Sequence, residues 1–268
     1  MVRLSAQPLW RALLASLVAA VFFTVQVTKA SEEEGFDSPY LPSADVMAEV
    51  DATLAKARDT GKLALIVMGA TWCHDSRGLA KRFRSADVGD VIDDKYEVLY
   101  VDVGYLSDAR AVNQRFGMPS IYATPTVMII DPETEMLTNS RTMHMWRNAD
   151  SISYPDTRAY FAKEAETARS PAPAPEAALQ AYFDSIDAFE AQEAARLVAG
   201  YDLIGPQLAM EPDYPDGFED LWREVRNFRY KLTDDLLALR AQAEQLAAEG
   251  ISEPLAFPSY PALSWESE

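Results

Sequence analysis

Three short apolar runs in the first half of the chain constrain its fold more than any other feature. They are residues 63–68, 98–103 and 126–130. Continuous apolar runs of this length are typical of strands that are buried on both faces of a sheet. Segments with helical periodicity alternate with them, at residues 44–62, 77–84, 108–116 and 154–169. This alternation predicts an α/β fold with a central sheet of four or five strands, including a short return strand near residues 136–139.

The composition changes after residues 170–175, a Ser-Pro-Ala-Pro-Ala-Pro run that predicts a stiff linker. Residues 176–250 then show the pattern of a helical hairpin. Apolar residues from Leu221 to Leu246 recur at steps of three and four, which is close to a heptad repeat. We expect this stripe to pack within the chain, and a seam for a dimer or a partner is the alternative. The tail, residues 251–268, is expected to be extended over a surface or disordered.

Residues 1–30 have the pattern of a secretory signal peptide. Arg3 and Arg11 form a positively charged start, which an apolar run follows. Thr28 and Ala30 then place small residues at the two positions that a cleavage site requires. The pattern predicts an exported protein, periplasmic or secreted, and an uncleaved N-terminal membrane anchor is the alternative.

The chain is strongly acidic, with a net charge of −18 over 268 residues. A surface of this charge repels nucleic acid and anionic lipid, so we expect neither as a partner. No later segment is apolar enough to span a bilayer once the signal peptide is removed. High net charge keeps an exported protein soluble. A basic partner is the alternative interpretation, although nothing in the sequence says where it would bind.

Cys73 is the only cysteine in the sequence. No internal disulfide can form, so the fold has to be held by its core alone. A lone thiol in an oxidising compartment can pair only with another molecule. The sequence therefore excludes an intramolecular dithiol–disulfide cycle.

The strongest motif surrounds this cysteine. Between a predicted buried strand and a predicted helix lies the sequence Trp72-Cys73-His74-Asp75-Ser76. Further along, Thr124 and Pro125 open another predicted strand. This combination resembles the thioredoxin superfamily, whose members carry Trp-Cys-x-x-Cys after the central strand and a cis X-Pro bond that faces the cysteine. The resemblance covers residues 44–169 and implies a thioredoxin-like domain, with a central mixed sheet and helices on both faces. Residues 31–43 would be its solvated lead-in.

The position of Cys73 favours nucleophilic chemistry. A cysteine at a helix N-terminus faces free N–H groups and the positive end of the helix dipole, which favour the reactive thiolate. Protonated His74 would add to this effect, and Asp75 would oppose it. We expect Ser76 to form a hydrogen bond with the sulfur and to support the start of the helix. An inert buried thiol is the alternative interpretation of Cys73.

The resemblance also implies a substrate site. In the family, the backbone before the cis proline pairs with an extended segment of the substrate, as an added strand. In this chain that backbone belongs to Thr124, and the cis bond would join it to Pro125. We therefore expect Cys73 and Ser76 to be catalytic. The expected substrate-binding residues are Trp72, His74, Asp75, Thr124 and Pro125.

Two residues depart from the thioredoxin pattern. Ser76 replaces the second cysteine, and Val67 replaces a buried acid six residues before the first. Without a second thiol, a mixed disulfide on Cys73 can be released only by an outside thiol, such as glutathione, or by a thiol of the substrate. These departures point away from a dithiol reductase and toward capture, isomerisation or binding.

Met143, His144 and Met145 form a second, weaker cluster. Thioether and imidazole groups suit copper(I), so a copper carrier is a minor alternative. We expect an ordinary strand or loop here, since methionine is common in protein cores. His74 and His144 are the only histidines in the sequence, and we predict no metal site.

These observations leave two main hypotheses for function. In the first, Cys73 captures or exchanges thiols and disulfides of exported partner proteins, in an isomerase-like or glutathione-dependent way. In the second, the same fold is a non-catalytic module that binds a peptide, and the C-terminal helices recruit a partner or a second copy. No cofactor is expected beyond glutathione as a resolving thiol.

Overall fold

The computed structural model of the protein describes residues 37–168 and 176–266. The predicted signal peptide at residues 1–30 and the predicted linker at residues 170–175 lie outside this part of the chain. Among the described residues, no helix is long and apolar enough to cross a bilayer.

Helices and strands alternate through residues 46–130, as expected for an α/β fold. These elements are α1 (Val46–Thr60), β1 (Leu63–Gly69), α2 (His74–Phe83), α3 (Ala86–Lys95), β2 (Tyr96–Asp102), α4 (Arg110–Arg115) and β3 (Thr126–Ile130). They are followed by a 3₁₀ helix (Met143–Ser151), α5 (Tyr154–Ala168), α6 (Ala177–Leu208), α7 (Phe218–Ala248) and a short 3₁₀ helix (Ser264–Glu266). We call residues 44–168 the sheet domain, residues 176–250 the hairpin and residues 251–266 the tail.

Capping residues set the bounds of α1. The side chain of Asp45 accepts a hydrogen bond from the N–H of Ala48 at 3.0 Å. At the other end, Gly61 adopts a left-handed conformation with φ of 67°, which a residue without a side chain reaches at little cost. Between these caps, Val50 and Leu54 turn the apolar face of the helix inward.

The sheet has β1 at its centre, parallel to β2 and antiparallel to β3. Ile66, in the middle of β1, pairs with Leu99 on one side and with Met128 on the other. Every residue of β1 is buried, which accounts for its continuous apolar sequence. The predicted mixed sheet flanked by helices is confirmed.

The described sheet has three strands, so the prediction of four or five strands is wrong. The expected return strand near residues 136–139 forms only a single bridge, to Ile130. The side chain of Asn139 accepts a hydrogen bond from the N–H of Ile129 at 2.8 Å and donates one to the carbonyl of Val127 at 2.9 Å. A side-chain amide therefore satisfies backbone groups that a return strand would have used.

Two helices of the sheet domain differ from the sequence prediction. α2 begins at His74 rather than at residue 77, so Cys73 is its N-cap residue. α3 occupies a segment without a predicted element. Its buried face includes Val88, Val91 and Ile92, which have helical spacing. With so few apolar positions, the periodic signal of α3 is weak.

α6 and α7 pack against each other as two long helices. The apolar stripe of α7 is turned inward, and its buried residues are Val225, Phe228, Leu232, Leu236, Leu239 and Ala243. The stripe therefore packs within the chain. Pro206 lies inside α6, two residues before the helix ends.

The hairpin and the sheet domain share one apolar core. In their interface, the buried phenol of Tyr201 donates a hydrogen bond to the carbonyl of Ile121. Gly205 permits a second close approach, because a Cβ atom at this position would lie 2.6 Å from the carbonyl oxygen of Tyr105. The hairpin thus packs directly on the loops that follow β2 and precede β3.

The tail runs along the hairpin without regular secondary structure as far as residue 263. The phenol oxygen of Tyr182 lies 2.9 Å from the carbonyl oxygen of Ile251 and 2.8 Å from that of Glu253. Leu255 and Leu263 are buried. These contacts fix the tail in an extended form.

Candidate active site

Cys73 lies between the end of β1 and the first turn of α2. Its backbone is extended, with φ of −85° and ψ of 119°, and its side chain makes no capping hydrogen bond. Instead, its Sγ donates to the carbonyl oxygen of Thr124 at a distance of 3.1 Å. Because β3 runs antiparallel to β1, the start of β3 lies at the same end of the sheet as the end of β1. This topology brings together two motifs that are 51 residues apart in sequence.

The peptide bond between Thr124 and Pro125 is cis. The prediction of a cis bond beside Cys73 is therefore confirmed. The hydroxyl of Thr126 donates to the carbonyl of Ala123 at 2.6 Å, which closes the turn around this bond. The loop before β3 thus holds the Thr124 carbonyl against the sulfur.

Cys73 is largely enclosed. The residue is 7% exposed, and its neighbour Thr124 is also 7% exposed. The thiol hydrogen already has an acceptor in the Thr124 carbonyl. A reaction partner must therefore reach the sulfur from one side and replace this hydrogen bond.

Ser76 does not bond to the sulfur, which differs from the sequence expectation. Its buried hydroxyl instead accepts a hydrogen bond from the N–H of Ala70 at 3.4 Å. Gly69 leaves the space for this contact, because a Cβ atom there would lie 2.6 Å from the Ser76 oxygen. Ser76 therefore ties α2 to the end of β1.

His74 and Asp75 form a pair in the first turn of α2. His74 is exposed, and its Nε2 lies 3.1 Å from a carboxylate oxygen of Asp75. The other carboxylate oxygen of Asp75 accepts a hydrogen bond from the N–H of Asp150 at 2.8 Å. Asp75 thus anchors the 3₁₀ helix to α2, and His74 is the member of the pair that meets solvent beside Cys73.

Trp72 is half-buried and fixed in orientation. Its indole N–H donates to the carbonyl of Gly104 at 2.8 Å. Gly104 belongs to the loop after β2, on which the hairpin packs. Trp72 therefore connects the cysteine loop to the surface near the hairpin.

Tyr40 is buried next to the site, which differs from the solvated lead-in predicted for residues 31–43. The residue is 1% exposed, and its phenol donates to the carbonyl of Ser76 at 3.2 Å. Its own carbonyl accepts a hydrogen bond from the hydroxyl of Thr71 at 3.2 Å. Burial, with Tyr100 and Cys73 nearby, raises the pKa of Tyr40 well above its usual value, so the phenol stays protonated. An aromatic residue between Pro39 and Leu41 is a faint signal of this anchoring.

Residues 45–132 match a protein family described as thioredoxin-like. This part of the chain is a thioredoxin-like domain. The match begins at the N-cap of α1 and ends two residues after β3. The thioredoxin-like domain thus contains Cys73 and the cis bond at Thr124, while Tyr40 precedes it.

Among solved structures, the chain is similar to a disulphide isomerase from Xylella fastidiosa Temecula1, with 29% sequence identity and a TM-score of 0.44. The similarity covers 48% of this chain and 98% of that chain. A comparison with curated proteins found no significant match. The hairpin lies outside the part that matches the thioredoxin-like family.

The part of the chain that the structure describes contains no group of three or more histidine, cysteine, aspartate or glutamate side chains placed to hold a metal ion. The cluster of Met143 and Met145 lies in a 3₁₀ helix, so the prediction of a strand or loop there is wrong. The carbonyl of Asn139 accepts a hydrogen bond from the N–H of Met143 at 3.0 Å, which turns the chain away from the sheet. Met143 is buried, whereas Met145 is 39% exposed. The copper alternative stays a prediction.

A cavity of about 620 Å³ lies between the sheet domain and the hairpin. Met118, Met143 and His144 line it on one side, and Leu236 lines it on the other. Its volume suits a small organic molecule. Burial, with Arg147 nearby, lowers the pKa of His144, so its imidazole is neutral at pH 7. Cys73 does not line this cavity, although Ala123 and Thr126, on either side of the Thr124–Pro125 cis bond, do.

Proposed function

We propose that the protein captures and exchanges thiols and disulfides of exported partner proteins through Cys73. The observation that carries this proposal is the 3.1 Å contact between the Cys73 sulfur and the Thr124 carbonyl at the N-terminus of α2. A cysteine at a helix N-terminus, next to backbone that can hold an extended peptide, suits thiol–disulfide exchange. The match of residues 45–132 to the thioredoxin-like family supports the same chemistry.

The first step is attack by the Cys73 thiolate on one sulfur of a partner's disulfide. A new S–S bond forms between Cys73 and that sulfur, the partner's S–S bond breaks, and its second sulfur leaves as a thiolate. A thiolate that attacks the partner's sulfur in this mixed disulfide then frees Cys73. When a different cysteine of the partner supplies that thiolate, a new disulfide forms in the partner, and the net reaction is isomerisation without oxidation or reduction. When glutathione supplies it, the partner is left in a mixed disulfide with glutathione.

The residues around the sulfur have distinct roles in this proposal. An extended segment of the partner pairs with the backbone of Thr124 beside Pro125, which replaces the hydrogen bond from the thiol. Trp72 and His74 flank the approach to Cys73, while Asp75 holds the first turn of α2. Ser76 positions α2 through Ala70.

A dithiol reductase cycle is not part of this proposal. Cys73 has no second cysteine to resolve a mixed disulfide, since Ser76 stands in that position. Val67, in the middle of β1, is fully buried and apolar where the family places a proton-relaying acid. Both substitutions remove parts that only a second thiol would use.

The alternative is a binding module without thiol chemistry, and the enclosure of Cys73 favours it. A thiol that is 7% exposed and hydrogen-bonded to Thr124 resembles a structural cysteine. In this alternative, the backbone of Thr124 holds a peptide and Cys73 only fills the core.

Mass spectrometry of adducts separates the two functions. The purified chain is incubated with a protein whose disulfides have been scrambled, with and without reduced glutathione. We expect a covalent adduct at Cys73 that glutathione reverses, and no adduct with C73S. S76A serves as the matched control, because it changes the same turn and keeps the nucleophile. An unreactive Cys73 in the folded native protein would replace the exchange proposal with the binding module.

A further inference from the structure

Four large apolar side chains are exposed where α6 turns into α7 and at the neighbouring loop after β2. Tyr105 is 39% exposed, Leu203 47%, Met210 50% and Tyr214 37%. We call these four residues the tip surface. A cluster of exposed apolar side chains on a strongly charged protein is typical of a contact site for another molecule.

Two of the four exposed residues, Tyr105 and Tyr214, are held by contacts with α6 and α7. The ring of Tyr214 stacks on Phe218, with ring centres 4.0 Å apart and planes within 3° of parallel. Gly205 brings α6 against the backbone of Tyr105. Two segments that are distant in sequence thus form one surface.

One hydrogen bond links the segment that carries Tyr105 to the candidate active site. Trp72 precedes Cys73 and donates its indole N–H to the carbonyl of Gly104 at 2.8 Å. Tyr105 is the next residue after Gly104. A polypeptide whose sulfur reaches Cys73 can therefore extend past Trp72 onto the tip surface.

The turn between α6 and α7 is acidic, and the neighbouring cations Arg110 and Arg223 are each paired with a carboxylate, of Asp202 and Asp220. Residues 209–222 contain five acids and no lysine or arginine: Glu211, Asp213, Asp216, Glu219 and Asp220. Among the described residues, no ion pair joins Glu211, Asp213 or Asp216 to a cation, and all three are exposed. Their potential attracts lysine and arginine side chains. It repels a second copy of this chain, whose net charge is −18.

We propose that the tip surface binds a segment of the partner polypeptide that carries lysine or arginine beside apolar side chains and flanks the reacting sulfur. This inference rests on the proposed function, because it names the class of polypeptide that Cys73 would meet. The apolar side chains of the segment cover Tyr105 and Tyr214, while its cations face the acids of the turn.

Two pairs of peptides test the inference and the proposed function separately. In one pair, the peptide cysteine forms a mixed disulfide with a coloured thiol. Attack by Cys73 releases this thiol, and its absorbance measures the rate of the reaction. The other pair carries serine instead and reports binding alone through fluorescence anisotropy. Within each pair, one peptide has lysine and arginine between leucines, and the other has glutamate at the same positions.

We expect the basic peptide to react roughly tenfold faster or more at low ionic strength, because electrostatic steering raises association rates by about 10 to 10³-fold. The ratio should fall toward one in 1 M salt, where the screening length is about 3 Å. The basic serine peptide should bind in the same salt-dependent way.

A matched pair of variants locates the effect. The triple variant E211Q, D213N and D216N removes three charges at the tip and should bring the ratio of the two rates close to one. The control triple D59N, E133Q and E166Q removes three exposed charges from segments outside the tip and should keep the ratio. A small uncharged disulfide should react equally with the native protein and both variants.

The outcomes distinguish the two ideas. Equal rates and equal binding for basic and acidic peptides would overturn the inference, and reaction with the uncharged disulfide would then keep the proposed function. An equal loss in both triple variants would also overturn it, since net charge alone would explain the preference. Binding of the basic serine peptide without any reaction at Cys73 would support binding at the tip surface and would contradict the proposed exchange chemistry. Self-association that the tip triple variant abolishes would assign the surface to a second copy.

Discussion

The surroundings of Cys73 and the interface between α6 and α7 are built from different kinds of contact. Three separate segments meet the loop that carries Cys73, and they contribute Tyr40, Gly104 and Thr124 through individual hydrogen bonds. The hairpin interface repeats one type of apolar contact along a regular stripe. A regular stripe can be recognised in the sequence, whereas an enclosure made by distant segments depends on how the chain folds back. The reactive group is thus easy to find, and the groups that hold it are not.

The largest expected effect comes from breaking the regular interface. L232A removes a fully buried side chain of α7 and should lower the free energy of unfolding by about 2–5 kcal/mol. L203A shortens a leucine of α6 that is 47% exposed, and it should change the free energy of unfolding by less than about 0.5 kcal/mol. Urea unfolding followed by circular dichroism measures both. The hairpin and the sheet domain share a core, so both should unfold together. Alkylation of Cys73 during the urea titration should therefore give the same midpoint as circular dichroism. Two separate midpoints would show that the two parts unfold independently.

A second thiol near Cys73 tests whether adducts persist because the native site has no resolving thiol. S76C places a sulfur in the first turn of α2, and we expect trapped adducts at Cys73 to decrease on the order of tenfold, since a thiol in the same turn can attack the mixed disulfide without a bimolecular encounter. The adducts are counted by non-reducing electrophoresis and mass spectrometry, with S76A as the control that keeps them. Unchanged adducts in S76C would mean that the orientation of residue 76 toward Ala70 prevents resolution.

The stability of the protein should decrease when a single hydroxyl is removed near Cys73. Y40F removes the hydrogen bond to the Ser76 carbonyl and should cost about 0.5–1.5 kcal/mol of unfolding free energy. Y214F removes a phenol oxygen from a tyrosine that is 37% exposed and should be nearly neutral. The same urea titration measures this pair. Equal stability of Y40F and Y214F would mean that Tyr40 acts by packing alone.

The smallest effect concerns the tail and depends on pH. Arg196 lowers the pKa of Glu266 to about 2, below its usual value of 4.5. The resulting stabilisation is fully present above pH 4.5 and is lost as the pH falls toward 2. It should stay below about 1 kcal/mol, because the pair is partly exposed. The difference in unfolding free energy between the native protein and E266Q, measured across this range, should shrink toward zero with acid; a constant difference would contradict this assignment.

The sequence was sufficient for the features that depend on local pattern. The buried strand before Cys73 and the turn at Thr124–Pro125 are both where their residues predict them. The missing return strand is different, because only the folded chain brings the amide of Asn139 to the edge of β3. Tyr40 is different for the same reason, since its partner Ser76 is 36 residues away. Contacts between distant side chains leave no periodic signal in the sequence.

The amide of Asn139 also has a consequence for encounters between molecules. β3 is an edge strand of the described sheet, and an edge with free N–H and C=O groups can template the addition of strands from other chains. The groups of Val127 and Ile129 that would accept such a strand are already occupied by one side chain. With the proposed function, extended polypeptides would be brought repeatedly to Cys73. The occupied groups of Val127 and Ile129 would keep them from adding to the β3 edge, while β2 forms the other edge of the described sheet.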